Sequence, residues 1–211
     1  METYIARTTI TATQRRILQC VVDTIADEGY ARATIGEIGS RLKISKGVIQ
    51  YHFPTKEELM QETIAYIYAT ARDYMSSQIW QTTNEWEQIR HFIELSCQFY
   101  QQYPTCIKAL QAIRSNFQPL KHKSLAVTLY ERELSDLADV FLSGQKKRVL
   151  REFDTDIAAL TLRMALNGVA AKLYSQQNYN VKKHADELTE LFRRAFLAWY
   201  LSAIEIYTNH E

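Results

Sequence analysis

Residues 45 to 59 read SKGVIQYHFPTKEEL, and their polar side chains are of the types that engage nucleic acid. Gln50 can pair bidentately with adenine, Tyr51 and His52 can donate to phosphate oxygens, and Gly47 lets a backbone approach closely. Lys46 and Lys56 add cations, and the free amides of a helix starting at Lys56 suit one more phosphate. Taken singly, each has a plain structural use. Tyr51 could be half-buried core, His52 could satisfy a backbone carbonyl, and a lone surface lysine is commonplace. The combination in one short stretch, at helical spacing, points to an external polyanion.

The elements that must position these residues are legible from periodicity and caps. Residues 11 to 29 open at Thr11 or Thr13, carry Ile17, Cys20, Val21 and Ile25 on one stripe, and stop at Gly29. TIGE at 34 to 37 has capping-box spacing, with Thr34 receiving the N3 amide and Glu37 reaching back; Ile35, Ile38 and Leu42 form the apolar face of a short second helix. Ser45 caps a third helix to about Phe53, which Pro54 ends. Val48, Ile49 and Phe53 cannot all point outward, and Ile49 with Phe53 share a face that can pack on the first helix. Thr55 caps a fourth helix running beyond Tyr74. Two short helices on a tight turn with a preceding support make a helix-turn-helix, whose second helix enters the major groove.

Thr34, Ile35, Glu37 and Ile38 followed by ISKGVIQYHFPTKEEL resemble the N-terminal signature of the TetR family of bacterial transcriptional regulators. The close resemblance spans about residues 11 to 60. It continues weakly in GQKKRVLREFDTDIAALTLRMALNGVA, similar to the family's link into its last two long helices. Lys43 stands where the family usually has a turn glycine, and Gln50 where it usually has tyrosine. The DNA-contacting candidates are Thr34, Lys43, Ser45, Lys46, Gly47, Val48, Gln50, Tyr51, His52 and Lys56.

Beyond residue 83 the NEWE tetrad again has capping-box spacing, opening a helix to about Tyr103, with further helices near 105–116, 120–143, 155–175 and 184–208. After residue 60 the chain carries 10 Tyr, 7 Phe and 3 Trp, most of which must be core. The resemblance implies a small-molecule pocket in this part. Candidates with a polar handle on an apolar face are Tyr66, Thr70, Tyr74, Phe99, Tyr103, Phe117, Tyr130, Arg163 and Asn167. Any one of them could equally be core or surface, and a buried Arg163 could answer either an anionic ligand or an internal Glu. Ala158, Ala159, Leu162, Ala165, Val169, Ala170 and Leu173, with Leu188, Leu191, Phe192, Ala195, Phe196, Trp199 and Ala203, make broad faces on the last two helices. By resemblance these pair with a second copy as a four-helix homodimer interface; packing within one chain would use some of the same residues.

Composition bounds the alternatives. Six Gly and three Pro in 211 residues leave long unpunctuated helical stretches. The net charge of +1 hides a basic first quarter, with eight basic against five acidic residues across 1–56. Cys20, Cys97 and Cys106 suit neither a disulfide framework nor a zinc site and are read as reduced thiols. No phosphate-binding loop, dinucleotide fingerprint, zinc-protease motif or triad signature is present, and His91 and Cys97 fall nearly opposite one another on a helix. No export signal or membrane span is read, no cofactor is implied, and a cytoplasmic location is expected. The expectation is therefore an all-α protein with a DNA-binding domain over 1–56 and an effector-binding and dimerisation domain over 57–211. The resemblance implies a repressor released from a palindromic operator by a small-molecule effector, and no enzyme is expected. An activator of the same architecture, or a helical ligand-binding or scaffold protein without operator recognition, would share most of these features.

Overall fold

A computed structural model of the protein describes residues 10–79, 82–116, 125–176 and 178–197. They form α1 (Ala12–Glu28), a 3₁₀ turn (Tyr30–Arg32), α2 (Ile35–Leu42), α3 (Lys46–His52), α4 (Lys56–Ile79), α5 (Glu85–Gln102), α6 (Pro104–Asn116), α7 (Leu125–Lys146), α8 (Thr155–Ser175) and α9 (Val181–Phe196). The fold is all-α, and the one β-type contact among the described residues is an isolated antiparallel bridge between Leu150 and Leu197.

The caps explain where helices begin. Thr11 Oγ1 accepts the Gln14 amide at 3.2 Å while Gln14 Oε1 accepts the Thr11 amide at 2.9 Å, a complete capping box. At the other end Gly29 has φ 88°, a conformation that favours glycine. The two boxes expected at Thr34 and Asn84 are only half made. Thr34 Oγ1 accepts the Glu37 amide at 3.1 Å, but the Thr34 amide already donates to Arg32 O at 2.7 Å, so Glu37 turns to Arg41 at 2.9 Å. Likewise Asn84 Oδ1 accepts the Glu87 amide at 3.1 Å, the Asn84 amide donates to Thr82 Oγ1 at 3.2 Å, and Glu87 pairs with Arg90 at 2.6 Å. An upstream acceptor removes the need for the reciprocal bond.

The last helix corrects the sequence expectation of 184–208. It starts three residues earlier, where Asn180 Oδ1 accepts the Lys183 amide at 2.9 Å, and it breaks at Leu197, which is extended at φ −65°, ψ 144°. Arg151 caps the end. Its amide donates to Phe196 O at 2.9 Å and its Nε to Ala195 O at 2.5 Å, taking carbonyls that a continuing helix would have used. Trp199 and Ala203 lie outside the described residues. In the last turn of α7, a Cβ on Gly144 would lie 2.6 Å from Leu150 Cδ1, so any larger residue there requires Leu150 to shift.

The chain forms two compact units, Met1–Thr70 with Tyr103–Leu129, and Ala71–Gln102 with Tyr130–Glu211. In the first, α1 packs on α2 and α6, and Ile17, Leu18, Val21, Ile38, Ile49 and Leu59 are fully or almost fully buried. In the second, α5 packs on α8 and α9 around Ile89, Ile93, Phe99, Phe141, Leu162 and Leu166. Burial of this many branched and aromatic side chains is the main favourable term in both units, at about 1.5–3 kcal/mol for each large side chain. No helix among the described residues is long and apolar enough to cross a membrane.

Candidate nucleic-acid interface

The turn between α2 and α3 is three residues, Lys43 to Ser45, and is built from backbone hydrogen bonds. Lys43 adopts the left-handed conformation at φ 56°, ψ 42°, its amide donating to Ser40 O at 3.2 Å while the Ile44 amide donates to Gly39 O at 3.0 Å. For an L residue this conformation costs about 1–2 kcal/mol, so the lysine departs from the turn glycine at an energetic cost. Gly39, which the sequence reading passed over, allows the turn to close: a Cβ there would be 2.9 Å from Ile44 O, a backbone atom. Ser45 Oγ then accepts the Val48 amide at 3.3 Å and starts α3.

On α3 the inward residue is Ile49, fully buried, with Phe53 just beyond it at 2% exposure. Everything else on the helix except the half-buried His52 faces solvent. Lys46, Gly47 and Gln50 are exposed, Val48 is 40% exposed, and Tyr51 stands out at 84%. An aromatic side chain that exposed has no role in this chain's core, which removes the core alternative for Tyr51. The Lys46 stem lies beside Gly36 of α2, where an added Cβ would be 3.1 Å from its Cε. His52 touches both neighbours, edge-on to Tyr51 with ring centroids 5.1 Å apart and tilted against Phe53 at 6.3 Å.

The cations of this unit divide into two kinds. Arg41 bonds Glu28 at the end of α1 and Glu37 at 2.9 Å, and Arg32 bonds Glu28 at 3.2 Å, a clamp that fixes α2 against α1. The Arg41 and Arg32 hydrogen bonds hold the Glu28 carboxyl below its ordinary range. Lys43, Lys46 and Lys56, by contrast, have no carboxylate partner among the described residues. Thr34 and Ser45 are exposed caps beside them, and Lys56 opens α4 behind the Thr55 cap, whose Oγ1 accepts the Glu58 amide at 3.1 Å. A helix whose outward row is polar and aromatic, ringed by unneutralised lysines, is equipped to bind a polyanion.

The pocket candidates are distributed over both units. Tyr66, Thr70 and Tyr103 belong to the first, where Tyr66 Oη donates to Gln19 Oε1 at 2.9 Å and the Thr70 hydroxyl donates to the Tyr66 carbonyl at 2.8 Å. Burial raises the Tyr66 phenol above its ordinary value. Tyr74, Phe99, Tyr130, Arg163 and Asn167 belong to the second. Tyr74 lies against the buried Phe99 at 5.7 Å between ring centroids, Tyr130 and Asn167 are half-buried, and Phe117 lies outside the described residues. Arg163, 7% exposed, meets Glu133 Oε1 at 2.8 Å, so the internal glutamate is the partner the chain itself supplies. A recess of about 740 Å³ runs along α9, lined in part by Tyr179, Lys183, His184, Glu187 and Arg194, none of them among those candidates. Cys97 and Cys106 are buried free thiols that burial pushes up to about 12 and about 11, and Cys20 is half-buried. High values disfavour the reactive thiolate.

Together the all-α fold and the projecting third helix define a helix-turn-helix DNA-binding protein. Comparison with known proteins narrows the class. Residues 17–63 match the family described as bacterial regulatory proteins, tetR family. The HTH-type transcriptional regulator CymR of Pseudomonas putida is 19% identical over 185 residues, 87% of this chain and 91% of that one. The A-factor receptor protein of Streptomyces griseus is 41% identical over 49 residues, 23% of this chain and 18% of that one. A transcriptional regulator from Saccharomonospora viridis, solved in complex with choline, shares the fold at a TM-score of 0.72 and 22% identity, covering 88% of this chain and 98% of the other. Residues 17–63 thus carry the DNA-binding segment of the tetR family, and the all-α fold of most of the chain is one that solved regulators share.

Proposed function

We propose that the protein binds a palindromic operator as a homodimer and represses transcription until a small-molecule effector releases it. In this reading residues 1–56 make the DNA contacts, and residues 57–211 bind the effector and dimerise. The observation that carries it is the outward face of α3: Lys46, Gln50 and Tyr51 exposed, with Lys43, Lys46 and Lys56 left without carboxylate partners among the described residues. Two such helices would read half-sites about 34 Å apart.

Dimerisation is supported by what the last two helices leave uncovered. Ala158, Ala159, Leu162, Val169, Ala170, Leu188, Phe192 and Phe196 are buried within the chain. Ile157, Leu160 and Met164 on α8 are instead 64%, 45% and 48% exposed, and Leu191 on α9 is 61% exposed. The three on α8 follow i, i+3, i+7 spacing, so they make one continuous row that a second copy can cover. Effector control is supported by the choline complex of the solved relative. A 100-fold loss of operator affinity requires about 2.7 kcal/mol of differential binding.

The test is a binding selection on fragments of the source genome at near-physiological salt, followed by titration of the enriched site. Recovery of a palindrome bound by two chains is expected. Weak binding indifferent to sequence would overturn the reading and leave a helical ligand-binding protein that has lost its operator.

A further inference from the structure

Lys56 is held differently from the other cations around α3. Its ammonium lies over the Tyr30 ring, 4.6 Å from the centroid, with no carboxylate partner among the described residues. The two kinds of holder have opposite consequences. A carboxylate fixes a lysine by cancelling its charge and occupying N–H donors that a phosphate would need. A ring face fixes it through its quadrupole and leaves the net charge, and the donors pointing away from the ring, available to a second partner. The holder is itself well supported. Tyr30 begins the 3₁₀ turn, whose last residue Arg32 bonds Glu28 at 3.2 Å. Helix α6 packs on that turn, and its Lys108 donates to Ala26 O at 2.7 Å in the last turn of α1. Burial raises the Tyr30 phenol above its ordinary value, which keeps a neutral ring beneath the cation.

We propose that Tyr30 is a positioning residue for DNA binding: its ring holds the Lys56 ammonium, charge uncancelled, in place for a backbone phosphate. This rests on the reading that Lys56 contacts phosphate. Tyr30 itself touches no DNA, and its effect runs through Lys56 alone. Losing an exposed cation–π contact corresponds to about a 2- to 5-fold weaker interaction, compounding to roughly 5- to 30-fold in a dimer that engages two half-sites.

The experiment is a double-mutant cycle on the selected operator, with affinity measured across a range of salt concentrations. Lys56→Met is expected to weaken binding and to shallow the salt dependence by about 2 in slope for two half-sites. Tyr30→Leu should weaken binding about 5- to 30-fold with the slope unchanged, Tyr30→Phe should match the native protein, and Tyr30→Leu should add nothing in a Lys56→Met background. Tyr30→Met, which also removes the ring while keeping an apolar side chain, serves if the leucine variant is poorly folded. In the free protein the Lys56 Hε resonances should show a ring-current shift that Tyr30→Phe keeps and Tyr30→Leu loses. Equal loss from Tyr30→Leu with and without Lys56 would mean the ring acts through packing and would overturn the proposal, as would unaltered binding by Tyr30→Leu. If Lys56→Met itself changes neither affinity nor slope, the phosphate role of Lys56 falls and the proposal with it. If the native protein selects no site, the regulator reading fails first.

Discussion

The two units handle charge in opposite ways. In the second, the buried charges are matched: Arg163 meets Glu133, and Glu85, 3% exposed, takes both Lys147 at 2.5 Å and the Ser143 hydroxyl at 2.7 Å. In the first, matching stops where α3 begins. Arg32 and Arg41 are used up in the clamp on Glu28 and Glu37, while the three lysines around α3 have no acid as partner among the described residues. Identical residue types therefore mean different things in the two places. An internal partner marks architecture; the lack of one, repeated around a single projecting helix, marks a surface awaiting an external anion.

Breaking the inward pairing should have the largest effect. Arg163→Met strands Glu133 in a mostly buried position and should cost about 3 kcal/mol in urea unfolding, most of it recovered by adding Glu133→Leu. The outward surface should behave conversely. Gln50→Ala should weaken operator binding by about 1–3 kcal/mol and relax preference at one base pair, leaving the unfolding midpoint unmoved. A stability loss matching the binding loss would erase the distinction between the units. Lys43→Gly sharpens it, because that lysine carries both strain and charge. Relief of the left-handed conformation should raise stability by about 0.5–1 kcal/mol, while loss of the cation weakens DNA binding and lowers its salt dependence.

The smallest effect belongs to Glu190, an exposed carboxylate that Arg193, and then Arg194, hold down to about 2. A depressed carboxyl contributes stability that is fully present above its ordinary pKa and is lost as pH falls toward 2. The melting-temperature difference between the native protein and Glu190→Gln should thus be small at pH 6 and shrink through the range from about pH 4.5 to 2. A difference that grows on acidification would show that the pair does not form.

Local signals in the sequence carried the N-terminal unit, because its helices are short and each has its own punctuation. Thr11, Gly29, Thr34, Ser45 and Pro54 act within a few residues, and they delimit α1 to α3. What stayed hidden depends on partners distant in the chain. Apolar periodicity runs on past residue 197, and only the fold brings Arg151 to the carbonyls that end α9. On α8 the spacing picks out Ala158, Ala159, Leu162, Val169 and Ala170 as an apolar face for a second copy or for this chain; the fold buries them within the chain and leaves Ile157, Leu160 and Met164, which that reading did not include, outside. Glu133, Gly39 and Tyr30 were likewise beyond a reading by local spacing. Their importance lies in one atom of a neighbour, a carboxylate's guanidinium, a carbonyl at a turn, an ammonium over a ring, that no periodicity encodes.

The uncovered row on α8 has a consequence for gene dosage. If a second copy covers Ile157, Leu160 and Met164, the operator-binding species forms as the square of the chain's concentration wherever that concentration lies below the dimer Kd. Halving expression there would remove about three-quarters of the dimer. On the proposed repressor reading, copy number would then act as an input alongside the effector, and a fall in synthesis would open the controlled promoter more steeply than the fall itself.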